Sequence, residues 1–367
     1  MTTDRDLLIP VPKGRYAVGC NITKFIDEAR TDPYDPNHEK RTVMVSLFYP
    51  IERSRSDGPS PVPCVPPKTA ATLDAGLAQF GLPKIFGTIK LQISTATSLD
   101  ATKDTGKFPL VLLSPGLTFS RHQYNALAQS IASEGYTVAT MDHTHDTVIV
   151  EYPDSTHVQG KPPTHWDPQN KDRHEELLAT RVEDARFVLT QLGNLDVVKT
   201  LVPGATRAFD TGRAAILGHS FGGTTAISTL MKDSRFVGAI NMDGSQYGPL
   251  TNTEKPVLLF GRGEPSPRNR SNNPTWQLLW GHLKGKRWEV NLKDSEHLTF
   301  CDSPLLMNLS GMEKTVVTTK MVGTLDGARA FEVVTAYVKA FLGYVLSEEE
   351  SPLLKAASDD FPEVILG

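Results

Sequence analysis

The chain has 367 residues, 39% of them hydrophobic and 22% charged, with a formal net charge of −4 at pH 7. That balance predicts a folded core under an ordinary soluble surface and gives no reason to expect nucleic acid or an acidic membrane as a dedicated partner. Three cysteines, Cys20, Cys64 and Cys301, show no C-x-x-C spacing, which argues against a thiolate metal site and, with one thiol left over, for a reducing compartment.

The first residues, MTTDRDLLIPVPKG, carry Asp4, Arg5, Asp6 and Pro10 and lack the apolar core of a secretory leader. No stretch of ~20 apolar residues could span a bilayer, so a cytoplasmic chain is expected, one domain over 1–367 with insertions. TVMVSLFYP (42–50) alternates and stops at Pro50, a strand signal. Residues 51–70, rich in Pro, Ser and charge, read as a surface loop. The segment 71–93 is apolar but broken by Gly76, Gly81, Pro83 and Gly87. It predicts short helices with exposed apolar faces: an inserted lid, slightly favoured by its weak helicity and internal glycines, a membrane-docking face, or simply packed structure.

PLVLLS (109–114) is a buried-strand signal, followed by a helix over 122–133 with Tyr124, Leu127, Ala128 and Ile131 on one face and by the strand TVATMDH (137–143). This is a βαβ unit. Residues 144–173, with Pro153, Pro162, Pro163 and Pro168, read as an irregular insertion at the rim. An amphipathic helix over 174–192 places Leu178, Val182, Ala185, Leu189 and Leu192 on one stripe. Further strands are expected over 214–217, 237–243, 255–260 and 286–292, and a last long helix over 327–346. The acidic segment 347–367 reads as a peripheral tail. The repeated β-α pattern predicts an α/β fold around a mostly parallel sheet.

The chemistry starts at Gly218-His219-Ser220-Phe221-Gly222. G-x-S-x-G between a strand and a helix, here Gly222 to Met231, is a nucleophile elbow: the serine stands on a strained turn, and the helix N-terminus supplies free N–H groups. A serine hydroxyl needs a base, and the base needs an acid partner, in the chain order serine, acid, histidine. Only His282 and His297 follow Ser220. His297 comes after a strand and a short polar loop, at the sheet edge where active sites of open α/β sheets form. His282 lies in LLWGHL and reads as a packing or rim residue. Two acids end later strands, Asp243 and Glu264: position alone slightly favours Glu264, since many hydrolases of this fold take the acid after the later strand, and the residues by themselves leave the two about level; Asp142 and Asp302 are weaker candidates. The N–H of Phe221, after the nucleophile, and that of Leu117, in the loop LLSPGLTFS, are the natural oxyanion donors. Phe119, His219, Phe221, Trp276, Leu279, Trp280 and 71–93 are candidate pocket walls. His143 and His145 in DHTHD lack further clustered ligands and read as loop histidines. GRG at 261–263 lacks the remaining spacing and lysine of a phosphate loop. No metal and no cofactor is called for.

LSPGLTFSRHQYNALAQSIASEGYTVATMDHTHD, then GHSFGG with DSRFVGAINMDG, then DSEHLTF, together with GRYAVGC and LFYP near the start, resemble the platelet-activating factor acetylhydrolase family in its fungal branch. The 23-residue step from Ser220 to Asp243 and the 54-residue step to His297 are far more specific than the elbow alone. The resemblance implies an α/β-hydrolase fold with lid-like insertions, Asp243 as the acid, and Leu117 and Phe221 as oxyanion donors. It also implies calcium-independent ester hydrolysis, directed in the animal enzymes at short acyl groups on glycerophospholipids. Two departures stand out: Pro115 replaces the histidine of the family's His-Gly-Leu loop, and the chain shows no secretory signal. The expected function is thus a serine esterase acting on an acetyl or other short-acyl ester, a small-molecule substrate. The alternatives are a lactonase, thioesterase or acyltransferase of a fungal secondary-metabolite pathway, or a hydrolase fold kept as a binding module.

Overall fold

Nine strands form one sheet in the computed structural model, which describes residues 6–52, 58–94, 105–160 and 170–367. In chain order they are β1 (Ala17–Thr31), β2 (Lys40–Ile51), β3 (Leu110–Ser114), β4 (Thr137–His143), β5 (Ala214–His219), β6 (Phe236–Met242), β7 (Val257–Arg262), β8 (Arg287–Leu292) and β9 (Val364–Leu366). Their spatial order is β9-β8-β7-β6-β5-β3-β4-β2-β1. The run from β8 to β4 is parallel, and β9, β2 and β1 join antiparallel. This is the α/β-hydrolase arrangement, with β5 near the middle delivering the elbow.

The continuous apolar runs follow from burial on both faces. In β3, Leu110 and Leu112 face one helix layer while Val111 and Leu113 face the other. Helices α2 (Asn125–Ser133) and α5 (Gly327–Ser347) cover one face through Leu127, Ile131, Val334, Val338 and Phe341. Helices α3 (Lys171–Leu192) and α4 (Phe221–Lys232) cover the other through Val188, Leu189, Ala226 and Leu230. The Asn170 side chain caps α3 by accepting from the Arg173 N–H, which starts the helix three residues before the expected 174. The stretch Val316–Ser347 is apolar enough to cross a membrane by length and composition, yet 67% of its apolar 18-residue window is buried in the fold.

Three expectations change. Strand β1 was not anticipated: it pairs with β2 at the sheet edge and mixes buried Val18 and Phe25 with exposed Ile22 and Ile26, which hides its alternation. The segment 347–367 is no peripheral tail, because β9 adds to β8 and Leu354 and Val364 are buried. The segment 71–93 is one helix, α1 (Pro67–Ala78), then a loop and the strand Ile89–Ile93, which joins Leu7–Leu8 and Ser60–Pro63 in a small separate sheet. Within 144–173 the chain makes a short hairpin, Ile149–Glu151 with His157–Gln159, while 161–169 lie outside the described residues. All three cysteines are free thiols.

Candidate active site

Strand β5 ends at His219 and α4 begins at Phe221, so Ser220 alone makes the turn, with φ 56° and ψ −125°. That left-handed backbone is costly for a residue with a Cβ and persists only where the surroundings enforce it. The two motif glycines make the turn possible. A Cβ on Gly218 would lie 2.1 Å from the Gly222 carbonyl oxygen, and one on Gly222 would lie 2.1 Å from the Ser114 carbonyl oxygen. The Ser220 N–H donates to the Met242 carbonyl at 2.8 Å, tying the elbow to β6.

The fold brings Ser220, His297 and Asp243 together. Ser220 Oγ lies 2.9 Å from His297 Nε2, and His297 Nδ1 lies 2.6 Å from Asp243 Oδ2. Asp243 is fully buried just past β6, with φ 51° and its N–H donating to the Phe260 carbonyl at 2.8 Å. Burial pushes its carboxyl up, but the His297 hydrogen bond and the Arg268 and Arg262 charges outweigh that and hold it below the usual range. A carboxylate only accepts, so the proton of neutral His297 sits on Nδ1 and Nε2 faces the serine hydroxyl as an acceptor. The other candidate acids lie elsewhere. Glu264 is exposed. Asp142 is buried against Arg121. Asp302 accepts from the Ala126 and Leu127 N–H groups at the start of α2.

Behind His297 runs a buried chain. The Gly116 N–H donates to Tyr124 Oη at 3.0 Å, Tyr124 Oη lies 2.8 Å from His219 Nδ1, and His219 Nε2 lies 2.8 Å from the His297 carbonyl oxygen. Burial, then the neighbouring His297, lowers the His219 pKa to about 3. The ring is therefore neutral, donating from Nε2 and accepting from Tyr124 at Nδ1.

Leu117, Ser220, Phe221, Asp243 and His297 line one cavity of about 320 Å³, with Ser245, Tyr247 and Arg268 completing it. Gly116 brings its loop against Ser220: its Cβ position is 3.4 Å from Ser220 Cβ. Phe119 instead lines a neighbouring groove of about 380 Å³ with Leu298 and the α1 residues Leu73 and Leu77. Segment 71–93 thus borders this groove rather than the serine.

Four pocket expectations need correction. His219 is fully buried and reaches the His297 backbone, not the cavity. Trp276 and Leu279, three residues apart on the helix Pro274–His282, turn into the core; Trp276 Nε1 donates to the Gly244 carbonyl at 2.6 Å, behind the Asp243 loop. Trp280 lies under Arg270 and Arg287. His282, which the sequence reads as a packing or rim residue, pairs with Asn252. His143 and His145 are buried, the former between Ser114 Oγ and Asp184. Among the described residues no three His, Cys, Asp or Glu side chains are placed to hold a metal ion.

Sequence reasoning missed Ser245, Tyr247 and Arg268. The first two follow Asp243 in the same loop, a signal available once that acid is chosen. Arg268 comes from the loop after β7; its Nε lies 3.0 Å from Asp243 Oδ1 and its Nη1 donates to Ser245 Oγ at 2.5 Å. No spacing pattern marks it.

Residues 1–350 match the family described as platelet-activating factor acetylhydrolase, isoform II. The chain is 31% identical over 386 residues to a "probable 1-alkyl-2-acetylglycerophosphocholine esterase" of Arthroderma benhamiae, covering 98% of this chain and 93% of that one. It is 26% identical over 319 residues to the platelet-activating factor acetylhydrolase of Cavia porcellus, covering 80% and 69%. Among solved structures, a ferulic acid esterase from Streptomyces cinnamoneus superposes with a TM-score of 0.79 at 29% identity, covering 98% of both chains.

Proposed function

The chain is a carboxylic ester hydrolase belonging to the platelet-activating factor acetylhydrolase family, and we propose that it cleaves short-acyl esters, acetyl above all, on a glycerophospholipid-like substrate through a Ser220–His297–Asp243 triad. The observation that carries this is the pair of contacts at the cavity floor, Ser220 Oγ to His297 Nε2 at 2.9 Å and His297 Nδ1 to Asp243 at 2.6 Å.

In this reading His297 takes the Ser220 proton as Oγ attacks the ester carbonyl carbon. The buried Asp243 carboxylate stabilises the imidazolium that forms and keeps its tautomer. The carbonyl oxygen becomes an oxyanion received by the N–H groups of Leu117 and Phe221, the second at the N-terminus of α4 where the helix dipole favours negative charge. His297 then gives its proton to the leaving alcohol. Water, deprotonated by the same ring, attacks the acyl-enzyme and releases the acid.

The small, partly polar cavity supports a compact acyl group. The apolar groove beyond Phe119 and Leu298 offers an alcohol carrying an alkyl chain a place to lie. The exposed Phe80 on its rim supports a lid or lipid-facing role for 71–93. The test combines a fluorophosphonate probe, a panel of acetyl, longer-acyl, lactone and thioester substrates, and mass spectrometry of the acyl group carried on Ser220. Probe on Ser220 and a preference falling with acyl length are expected. Fast lactone or thioester turnover with negligible acetyl-ester hydrolysis overturns the substrate reading.

A further inference from the structure

The loop Pro115–Thr118 is held in a conformation its sequence does not favour. Thr118, a β-branched residue, has φ 68°. Such a backbone persists only where its surroundings over-determine it. The amide inventory of the loop is nearly closed. The Gly116 N–H goes to Tyr124 Oη, the Thr118 N–H to Asp146 Oδ1 at 3.3 Å, and the Phe119 N–H back to the Gly116 carbonyl at 3.2 Å. Among the described residues, only the Leu117 N–H of residues 116–119 has no such partner, and Leu117 lines the cavity with Ser220.

The Thr118 carbonyl accepts from the Val148 N–H at 2.9 Å, and the two carbonyls before Leu117 share one side chain, Arg181 of α3, which is 1% exposed. Its Nη1 donates to the Pro115 carbonyl at 2.6 Å and its Nη2 to the Gly116 carbonyl at 3.1 Å. The same guanidinium grips Asp146 twice, Nε to Oδ2 at 2.7 Å and Nη2 to Oδ1 at 2.6 Å. Asp146 in turn holds the Thr118 N–H. The guanidinium also lies 5.1 Å from the ring of Phe221, the other residue offered as an oxyanion donor.

We infer that Arg181, with Asp146, is a positioning residue for the oxyanion hole: it fixes the peptide planes on either side of Gly116 so that the Leu117 N–H is aimed beside Ser220. The inference rests on the oxyanion assignment made under Proposed function. A guanidinium suits the task because its planar fork serves two carbonyls and a carboxylate at once, whereas a lysine ammonium offers three donors from a single atom. A buried ion pair serving stability alone would need only Asp146; here two further donor contacts go to consecutive carbonyls of the loop.

The test is kcat per active site, counted by titration, in Arg181→Lys and Arg181→Ala, with a short-acyl ester. Losing an oxyanion donor outright costs on the order of 10²–10³ in rate, so a displaced donor in Arg181→Lys should lower kcat per titrated site by roughly 10- to 100-fold, with KM changed less than ~3-fold. Arg181→Ala, which strands Asp146, should be slower still and should regain activity with guanidinium ion but not with ammonium. A trifluoromethyl ketone that forms an oxyanion adduct should lose affinity in step with kcat. A purely structural role predicts fewer titratable sites, each turning over at the wild-type rate, and that result overturns the inference. If the wild type is labelled at Ser220 and Arg181→Lys matches it per site, only the role of Arg181 falls. If the wild type is not labelled at Ser220, the serine mechanism itself falls.

Discussion

His219 Nε2 donates to the backbone carbonyl of His297 at 2.8 Å, so the residue before Ser220 holds the main chain of His297. The two rings, 4.7 Å apart between centroids, make the elbow and the histidine turn one packed unit. His219→Phe keeps an aromatic ring, a somewhat larger one, but leaves the Tyr124 hydroxyl without its acceptor and the His297 carbonyl without its donor. Buried groups stranded this way cost about 1–3 kcal/mol each. We expect kcat to fall about 10-fold, within the known sensitivity to small misplacements, and the melting temperature to drop. Unchanged kcat in a folded His219→Phe protein would detach this histidine from the base's placement.

Ser220→Ala and His297→Ala should each lower kcat by on the order of 10⁴–10⁶. Asp243→Asn should cost about 10⁴, because an amide no longer fixes the Nδ1–H tautomer. Glu264→Gln should leave kcat within about 2-fold, since an exposed side chain away from His297 has no part in the proton transfer. Steady-state kinetics on the four variants decide it; a larger loss in Glu264→Gln than in Asp243→Asn would reassign the acid.

Gly222→Ala should prevent normal folding of the elbow. Its Cβ would meet two backbone oxygens, Ser114 at 2.1 Å and Pro115 at 2.6 Å, and neither can swing aside as a side chain would. A loss at or above the upper end of usual overpacking costs, about 3 kcal/mol, is expected. Urea unfolding of the variant measures it.

Stability should fall on the acid side of neutrality. His122, His143 and His219 are buried, and burial first, then the neighbouring Arg121, Arg181 and His297 respectively, lowers each pKa, in His219 to about 3. The His143–Asp184 contact is therefore a hydrogen bond from a neutral ring. Below the ordinary histidine value of about 6.5 the unfolded chain takes up protons that the folded chain refuses, so the contribution is present above that pH and lost as pH falls. Each ring adds a slope approaching about 1.4 kcal/mol per pH unit. Asp184, held well below the usual range by Arg41 and His143 despite the opposing effect of burial, adds a further loss below about pH 4. The urea midpoint should drop clearly between pH 7.5 and 5.5; a flat midpoint would mean that these rings are charged in the fold.

The parts of the fold that the sequence displays are those where one physical rule dominates. Buried parallel strands must be apolar throughout, so β3, β4, β6 and β7 stand out as runs. The elbow is legible because it needs glycines at fixed offsets. The acid is harder, since Asp243 and Glu264 both follow apolar strands; apart from the family resemblance, it is the three-dimensional turn, which buries one and exposes the other, that separates them. Arg181 is hidden for another reason. It sits in TRVEDAR, where alternating charges on a helix normally face water, and nothing local says that a loop some sixty residues earlier will wrap over its guanidinium. Trp276 misleads in the opposite sense, because a tryptophan near a site can wall a pocket or brace the loop behind it.

The short strand β9 has a consequence for handling the protein. It occupies the outer edge of β8, with Val364 opposite Leu292 and the Gly367 N–H donating to the Glu289 carbonyl at 2.9 Å. Remove those last residues and β8 presents a bare row of amides and carbonyls, along with Val290 and Leu292 freshly uncovered at the border. Such an open edge is a template for another chain. Trimming the C-terminus would therefore invite strand-to-strand self-association at this edge of the sheet.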